Sequence, residues 1–404
     1  MDFNPAPANV MHVDLNSCFA SVEQQANPLY RGHPLVVAAY TTDRGCILAA
    51  SREAKKLGIK TGMRVYEGRA LCPQLIVVPS DPPKYRYVHH KLVELLSEYS
   101  AQVEVKSIDE MVLRVIPAQA GIGIGVMRVA QEIKKRIKAE IGEWLTVSVG
   151  IAPNRYLAKI ASNLHKPDGL DIITRENIEE ILTGLRLEDL TGIKAGYGGR
   201  LRYWGITTPL ALYHSSSTTL RRAFGSKIGH DWWLMLHGWE TDLFNRDNVK
   251  TIGHSYALPT AYATRDPRLH QILCQLVEKM GRRIRKGNYM AQGMHIFCAF
   301  ADHTYWNHGE TLSHQVFSSR DLYKEALRVL LKAPDRPVRN LAVSSFALSD
   351  TSHEQLNFLD PVDRKRNLTN ALDTIADRWG EFTVTPARML SMEHKVLDRI
   401  AFGQ

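Results

Sequence analysis

Hydrophobic positions along the chain fall into short continuous runs and regularly spaced sets. Val10–Leu15 reads V-M-H-V-D-L, the pattern of a short buried strand with an acidic residue near its end. A second run, Val112–Val115, follows directly on Ser107-Ile108-Asp109-Glu110. Tyr85, Val88, Leu92, Leu95, Leu96 and Tyr99 recur at helical spacing, as do Val126, Val129, Ala130, Ile133, Ile137 and Ile141. Thr146–Ile151 returns to a strand pattern. Strands alternating with amphipathic helices predict an α+β or α/β sheet domain over residues 8–17 and 81–172, interrupted by an insertion at 18–80.

From 173 to 243 the pattern turns helical. Within it, Leu187–Lys194 followed by Leu201 and Trp204-Gly205-Ile206 has the character of a helix-hairpin-helix, which turns backbone N–H groups toward phosphate. Residues 244–252 read as a linker. Beyond them come a strand (Gly253–Thr264), a helix (Asp266–Lys286), two strands (Met290–Phe300 and Thr311–Phe317), a helix (Leu322–Lys332) and a strand (Val338–Leu348). This β-α-β-β-α-β order defines a separate compact unit over 253–350. The tail, 351–404, opens on a polar stretch and continues into a helix bearing Leu368, Leu372, Ile375 and Trp379.

A chain of 404 residues that is 44% hydrophobic and 23% charged holds several domains with real cores, which excludes a small peptide and long disorder. The net charge of +9 suits a polyanionic partner without identifying one. It is concentrated, because residues 250–350 hold 14 Lys/Arg against 8 Asp/Glu. Arg282, Arg283, Arg285 and Lys286 crowd one helix end, as a grip on a polyanion or as a solvated terminus complementing the helix dipole. Five widely spaced cysteines without a C-x-x-C pair speak against a disulfide framework or a zinc site. No apolar run approaches the length of a signal core or a membrane span, so a reduced, cytoplasmic protein without a membrane partner is expected.

Asp14 at the end of one strand and Asp109-Glu110 at the start of another are what a two-metal phosphoryl-transfer site requires. Two divalent ions about 3.5–4 Å apart need several carboxylate oxygens converging from different strands. An Asp-Glu pair alone is more often an exposed turn, so context has to decide.

That context is the order and spacing of three motifs. They are Val13-Asp14-Leu15-Asn16-Ser17-Cys18-Phe19-Ala20-Ser21-Val22-Glu23, Ser107-Ile108-Asp109-Glu110, and Ser148-Val149-Gly150-Ile151-Ala152-Pro153-Asn154 with Leu157-Ala158-Lys159-Ile160-Ala161-Ser162 and Lys166-Pro167-Asp168-Gly169. Together they resemble the signatures of Y-family DNA polymerases, the translesion class, with features of both bacterial branches, DinB and UmuC. The resemblance runs from about Val10 to Ser349 and into the tail. It implies an α+β multidomain, right-hand polymerase: palm over 8–17 and 81–172, fingers over 18–80, thumb over 173–243, and a β-α-β-β-α-β little finger over 253–350 that grips primer-template DNA.

It further implies Asp14, Asp109 and Glu110 as catalytic and metal-binding carboxylates, with the Leu15 carbonyl as a further ligand, for two Mg²⁺ ions that Mn²⁺ can replace. Ser17, Cys18, Phe19, Lys55 and Lys166 become contacts of the incoming dNTP, Phe19 as the steric gate against a ribose 2′-OH. Where DinB-type members usually carry a Tyr and an Arg on the triphosphate, this chain has Arg52 and Lys55, and Lys194 stands where the hairpin usually has a second glycine. Lysine keeps the cation but loses the bidentate fork. Ala39, Cys46 and Gly62 are small residues where the fingers roof the nascent base pair. Gln355-Leu356-Asn357-Phe358-Leu359 resembles the peptide that docks bacterial sliding clamps, with the aromatic and aliphatic residues interchanged. The activity expected is low-fidelity, non-proofreading synthesis past damaged template bases. The alternative is a catalytically silent DNA- and clamp-binding scaffold of the same fold.

Overall fold

The computed structural model describes residues 3–115, 124–241, 251–350, 362–390 and 396. They form two compact units, within Met1–Asn245 and Arg246–Leu397.

In the first unit β1 (Val10–Leu15) leads into α1 (Cys18–Ala26), followed by β2 (Leu35–Ala38), β3 (Ile47–Ala50), α2 (Arg52–Lys56), α3 (Val65–Leu71) and β4 (Ile76–Pro79). Then come α4 (Pro82–Ser97), β5 (Val103–Val105), β6 (Glu110–Arg114), α5 (Ile124–Arg136), β7 (Val147–Ala152), α6 (Arg155–Leu164) and β8 (Leu170–Ile172). The main sheet has the order β5-β6-β1-β7-β8, so the first strand in sequence is the central one. That position explains the unbroken apolar character of Val10–Leu15, every residue of which is buried. β1 runs antiparallel to both neighbours, with Asp14 opposite Glu110 on one side and Ser148 on the other.

Alternation along the strands sorts the two faces. Met11, Val13, Met111, Leu113, Val147 and Val149 enter one core with Tyr85 and Leu92 of α4 and Ile133 of α5. Val10 and Val112 point to the opposite face, into a core that contains Tyr156, Leu157 and Ile160 of α6. His12, Asp14 and Glu110 share the alternation of Val10 and Val112, so they face α6. Gly150 lets α6 come close, because a Cβ there would lie 2.1 Å from the Ala158 carbonyl oxygen. The periodic set expected as one helix through Ile141 is α5 continued by a π-helical turn, Ile137–Ile141.

Residues 18–80 hold a sheet of their own, β3-β2-β4, over a small core that includes Val36, Ile47, Ile59 and Val65. Downstream come α7 (Ile178–Thr183), α8 (Ala195–Tyr203), α9 (Pro209–His214), α10 (Ser217–Phe224) and α11 (Ile228–Leu236).

The second unit runs β9 (Thr251–Ala263), α12 (Pro267–Lys286), β10 (Tyr289–Phe300), β11 (Tyr305–Val316), α13 (Ser319–Leu330) and β12 (Pro337–Asp350). This is the β-α-β-β-α-β order expected from the sequence, closed as an antiparallel sheet β11-β10-β12-β9. β11 starts six residues before the expected strand. Its early residues, Tyr305-Trp306-Asn307-His308-Gly309-Glu310, carry no apolar alternation: on this edge strand Trp306 alone among them packs against the core, while Tyr305, Asn307 and His308 are exposed. Residues 244–250 of the expected linker lie outside the described residues, and Thr251 and Ile252 already belong to β9.

The tail contributes α14 (Val362–Trp379). Asp373 pairs with Arg285, 2.6 Å away and bidentate, Asp377 with Arg282 at 2.7 Å, and Glu381 beyond the helix with Lys279 at 3.1 Å. Two of the four cations at the end of α12 therefore hold the tail helix, a third reading beside grip and dipole complement. Leu368 and Trp379 of this helix are 62% and 66% exposed. The tail closes the core instead through Met389 and Val396. Residues 355–359 lie outside the described residues. All five cysteines are free, and among the described residues no helix is long and apolar enough to cross a membrane.

Candidate active site

A cleft of about 920 Å³ opens along the edge where β1 and β6 carry their acidic residues. Its floor holds Asp14, Leu15, Asp109 and Glu110, and its walls include Ser17, Cys18, Phe19, Arg52, Lys55 and Lys166. Every nucleotide- and metal-site residue expected from the sequence thus lines one cavity. Leu48, Ala49 and Thr61 form the neighbouring wall. Ala39, Cys46 and Gly62 come together, with the Ala39 N–H donating to the Cys46 carbonyl at 2.9 Å, but they are not among the lining residues.

The carboxylates are not equivalent. One ligand atom each of His12, Asp14 and Glu110 lies within 4.8 Å of the others. Asp109 stands apart, accepting a hydrogen bond from the Ser107 hydroxyl, while its backbone carbonyl accepts from Leu15 N–H at 2.9 Å. Lys159 of α6 donates to Asp14 Oδ2 at 2.8 Å and to Glu110 Oε1 at 2.5 Å, and Lys166 donates to the same Asp14 oxygen at 2.7 Å. Hard carboxylate oxygens gathered this closely are the donor set that Mg²⁺ or Mn²⁺ takes.

Burial and charge set the protonation of these groups. Burial pushes the Asp109 carboxyl up, and the like charges of Asp14 and Glu110 add to it. Burial also acts upward on Glu110, but the His12 and Lys159 contacts outweigh it and hold that carboxyl well below the usual range. His12 is pulled down by burial, leaving a neutral imidazole 3.5 Å from Glu110. Burial lowers Lys159, yet Asp14 and Glu110 overcome this and raise it. For Lys55 burial wins, with the positive charge of Lys166 acting in the same direction. The Cys18 thiol is raised by burial and by Asp109 and Asp14, so it stays protonated.

Ser17, with φ 51°, makes the turn that sends the chain from β1 into α1 and sets Cys18 and Phe19 on the first turn of the helix. Its hydroxyl accepts from Lys55 Nζ at 2.8 Å, linking α2 to the floor of the cleft. Phe19 stacks on Tyr85 at 4.4 Å between centroids and 13° between planes. Tyr85 is buried and donates to Glu23 Oε1 at 2.8 Å, and Lys84 holds the other Glu23 oxygen at 2.7 Å. The ring lining the cleft therefore has a rigid backing. Arg52 lies over the Trp144 ring, 5.7 Å from its centroid, and also borders the cleft.

Residues 13–163 match the model of the impB/mucB/samB family, and residues 249–358 match that of the impB/mucB/samB family C-terminal domain. A protein named DNA polymerase IV from Pelotomaculum thermopropionicum is 32% identical over 391 residues, covering 95% of both chains. DNA polymerase IV 2 of Bacillus subtilis is 31% identical over 400 residues, 96% of this chain and 96% of that one. Among solved structures, a Y-family DNA polymerase chimera of Dbh and Dpo4 aligns with a TM-score of 0.73 at 28% identity, covering 84% of this chain and 99% of that one. An insertion ternary complex of Dbh DNA polymerase aligns at 0.58, with 28% identity over 84% of this chain and 99% of that one. The chain belongs to the Y-family of DNA polymerases. It is accordingly a metal-dependent, DNA-directed DNA polymerase of the translesion class, and nothing favours the silent scaffold.

Sequence reasoning had not singled out several residues of this Y-family site. Lys159 sits inside a quoted motif, between Ala158 and Ile160 on a helix whose flanking positions are buried. A lysine in such a setting needs acidic partners, and that was the available signal. His12 is the one polar side chain of β1 before Asp14 and lies two residues from it, hence on the same face. A buried network fixes the loop that carries Lys166: Asn16 donates to Ser148 Oγ at 2.9 Å, Thr146 donates to Asn16 at 3.2 Å, and the Asp168 N–H donates to Asn16 Oδ1 at 2.7 Å. Lys138 holds the Asp168 carboxylate at 2.9 Å.

Proposed function

We propose that the chain extends a primer across damaged template bases by two-metal nucleotidyl transfer, with Asp14, Asp109 and Glu110 as the metal-binding carboxylates and Leu15 contributing its carbonyl. The observation that carries this is the meeting of Asp14 and Glu110 carboxylates from adjacent strands on the floor of a cleft that Phe19 and Lys55 wall. Mg²⁺ is the ion expected, with Mn²⁺ as a substitute. When bound, the two ions supply activation of the primer 3′-OH and neutralisation of the departing pyrophosphate.

The chain's own residues do the rest. Glu110, kept ionised by its neighbours, and Asp14 present negative oxygens. Asp109, held by the Ser107 hydroxyl, would supply the third carboxylate. Lys55 and Lys166 stand in the cleft as cations for the dNTP triphosphate, each tied to a polar group it can exchange for phosphate oxygen. Ser17 and Cys18 sit beside them. Phe19, backed by Tyr85, meets the C2′ position of the sugar and disfavours a hydroxyl there. Catalysis of this kind is mostly positioning and charge stabilisation.

In this reading residues 8–17 and 81–172 are the palm, 18–80 the fingers, 173–243 the thumb, and 253–350 the little finger that holds the duplex. Residues 355–359 would reach a sliding clamp. Synthesis is of low fidelity without proofreading, and it takes place in the cytoplasm, where bacterial DNA lies. Asp14→Ala, Asp109→Ala and Glu110→Ala are each expected to lower primer extension by at least about a hundredfold while DNA binding, read by fluorescence anisotropy, stays within about twofold. Near wild-type extension by the Asp109 variant would remove that residue from the site.

A further inference from the structure

Lys159 is the residue whose placement the known reaction does not account for. Its ammonium lies between the two carboxylates that come together, 2.8 Å from Asp14 and 2.5 Å from Glu110. Its side chain is 16% exposed, so water does little to screen these pairs. Gly150 sets how close α6 approaches the sheet, and the backbone of α6 leaves the lysine facing the acidic strand positions. Lys166, by contrast, comes from a loop, touches Asp14 alone and is 35% exposed, so it can swing toward another anion.

Two carboxylates this close repel each other strongly in a partly buried setting unless a cation lies between them. We propose that Lys159 is a resident counter-charge that holds Asp14 and Glu110 together before divalent ions arrive, and that must yield its carboxylate oxygens to them. The inference rests on the reading of Asp14 and Glu110 as metal ligands.

Its consequence concerns when the site loads. An ion entering alone has to displace Lys159 from two carboxylates and leave the ammonium in a site that has gained positive charge. An ion entering with a triphosphate brings the anion that offsets both. Lys159 thus makes the empty site bind divalent ions weakly and favours joint entry of ion and nucleotide. It is a positioning residue, acting through Asp14 and Glu110. In its absence the acids repel, the metal-free fold loses stability, and a bare ion binds better.

The test uses Mn²⁺ binding to the full chain without nucleotide, followed by electron paramagnetic resonance of the free ion, on wild type, Lys159→Met and Asp14→Asn. Lys159→Met is expected to bind Mn²⁺ roughly tenfold or more tightly than wild type, given one unit charge removed at contact distance. It is also expected to melt at a lower temperature than wild type without Mn²⁺ and to recover most of the difference with it. Asp14→Asn should bind more weakly than wild type. If Asp14→Asn binds as wild type does, the ligand reading fails. If Asp14→Asn weakens binding but Lys159→Met binds no more tightly than wild type, the counter-charge inference alone fails. Should Lys159→Met not fold, amine labelling of the wild-type chain decides, read by mass spectrometry. Lys159 should label faster once Mn²⁺ and a dNTP are present, and an unchanged rate overturns the proposal.

Discussion

At the scale of single residues, the contact between Phe19 and Tyr85 turns a sequence expectation into a measurable one. A phenylalanine beside a strand end could serve either the core or the cleft. Here one side of the ring stacks on a buried tyrosine while the residue lines the cavity, so the two roles are coupled. Phe19→Ala should raise ribonucleotide incorporation relative to deoxynucleotide by an order of magnitude or more. Tyr85→Leu should raise it by less, because Phe19 remains but loses its backing. Tyr85→Phe keeps the stack, drops the hydrogen bond to Glu23, and should cost only about 1 kcal/mol of stability with the sugar ratio unchanged. An unchanged ratio in Phe19→Ala would return the residue to the core. The acidic residues were legible in the sequence because each sits at a strand end in a motif of fixed spacing. Lys159 and His12 were not, because their meaning lies in a pairing of Asp14 with Glu110 across more than ninety residues of chain, and only the register of β1 with β6 reveals it.

At the scale of elements, periodicity found the helices and buried strands and failed where tertiary context replaces it. β11 was shortened because the first half of this edge strand packs a single apolar side chain, Trp306, against the core, too little to give an alternation. α14 was found, and its docked side is the polar one: Leu368 and Trp379 lie exposed, while Asp373 and Asp377 make the contacts with α12. The ionic character of that docking has a consequence. Arg285 reaches Asp373 through two hydrogen bonds and also donates to the Phe317 carbonyl at 3.0 Å and the Ser319 hydroxyl at 3.2 Å. Removing the carboxylate frees the helix more than it disturbs the arginine. Asp373→Ala should therefore accelerate amide exchange across residues 364–379 by roughly tenfold, while exchange in β10 and β12 stays unchanged. Raising salt should loosen α14 in the wild-type chain in the same direction, since these pairs are only partly shielded from solvent. Equal exchange in variant and wild type would mean that Met389 and Val396 hold the tail without the ion pairs.

At the scale of the molecule, the β-α-β-β-α-β order of the second unit was legible along the chain, and the working parts proposed above follow from the order of motifs. The separate sheet of residues 18–80 could not be read in advance, because its strands are four residues each and look like loop fragments until β2 pairs with both β3 and β4. One proposed part is argued from sequence alone: Gln355-Leu356-Asn357-Phe358-Leu359, which falls between the last strand of the second unit and α14. A polar anchor followed by large apolar side chains suits an extended peptide filling a preformed hydrophobic pocket. Tethering at that point would raise the local concentration of primer terminus around a cleft of about 920 Å³ that is open to solvent, without any new contact at the site of chemistry. Phe358 and Leu359 stand in the reverse of the usual order, so the affinity should be modest and the benefit should depend on clamp concentration. Replacing Gln355, Leu356, Phe358 and Leu359 together by alanine should leave extension without clamp within about twofold of wild type and remove stimulation by the cognate clamp. The two measurements separate the readings, because a segment that instead packs on the chain's own core would lower unstimulated synthesis and the melting temperature as well. Equal stimulation of variant and wild type would show that the clamp, if it binds, does so elsewhere.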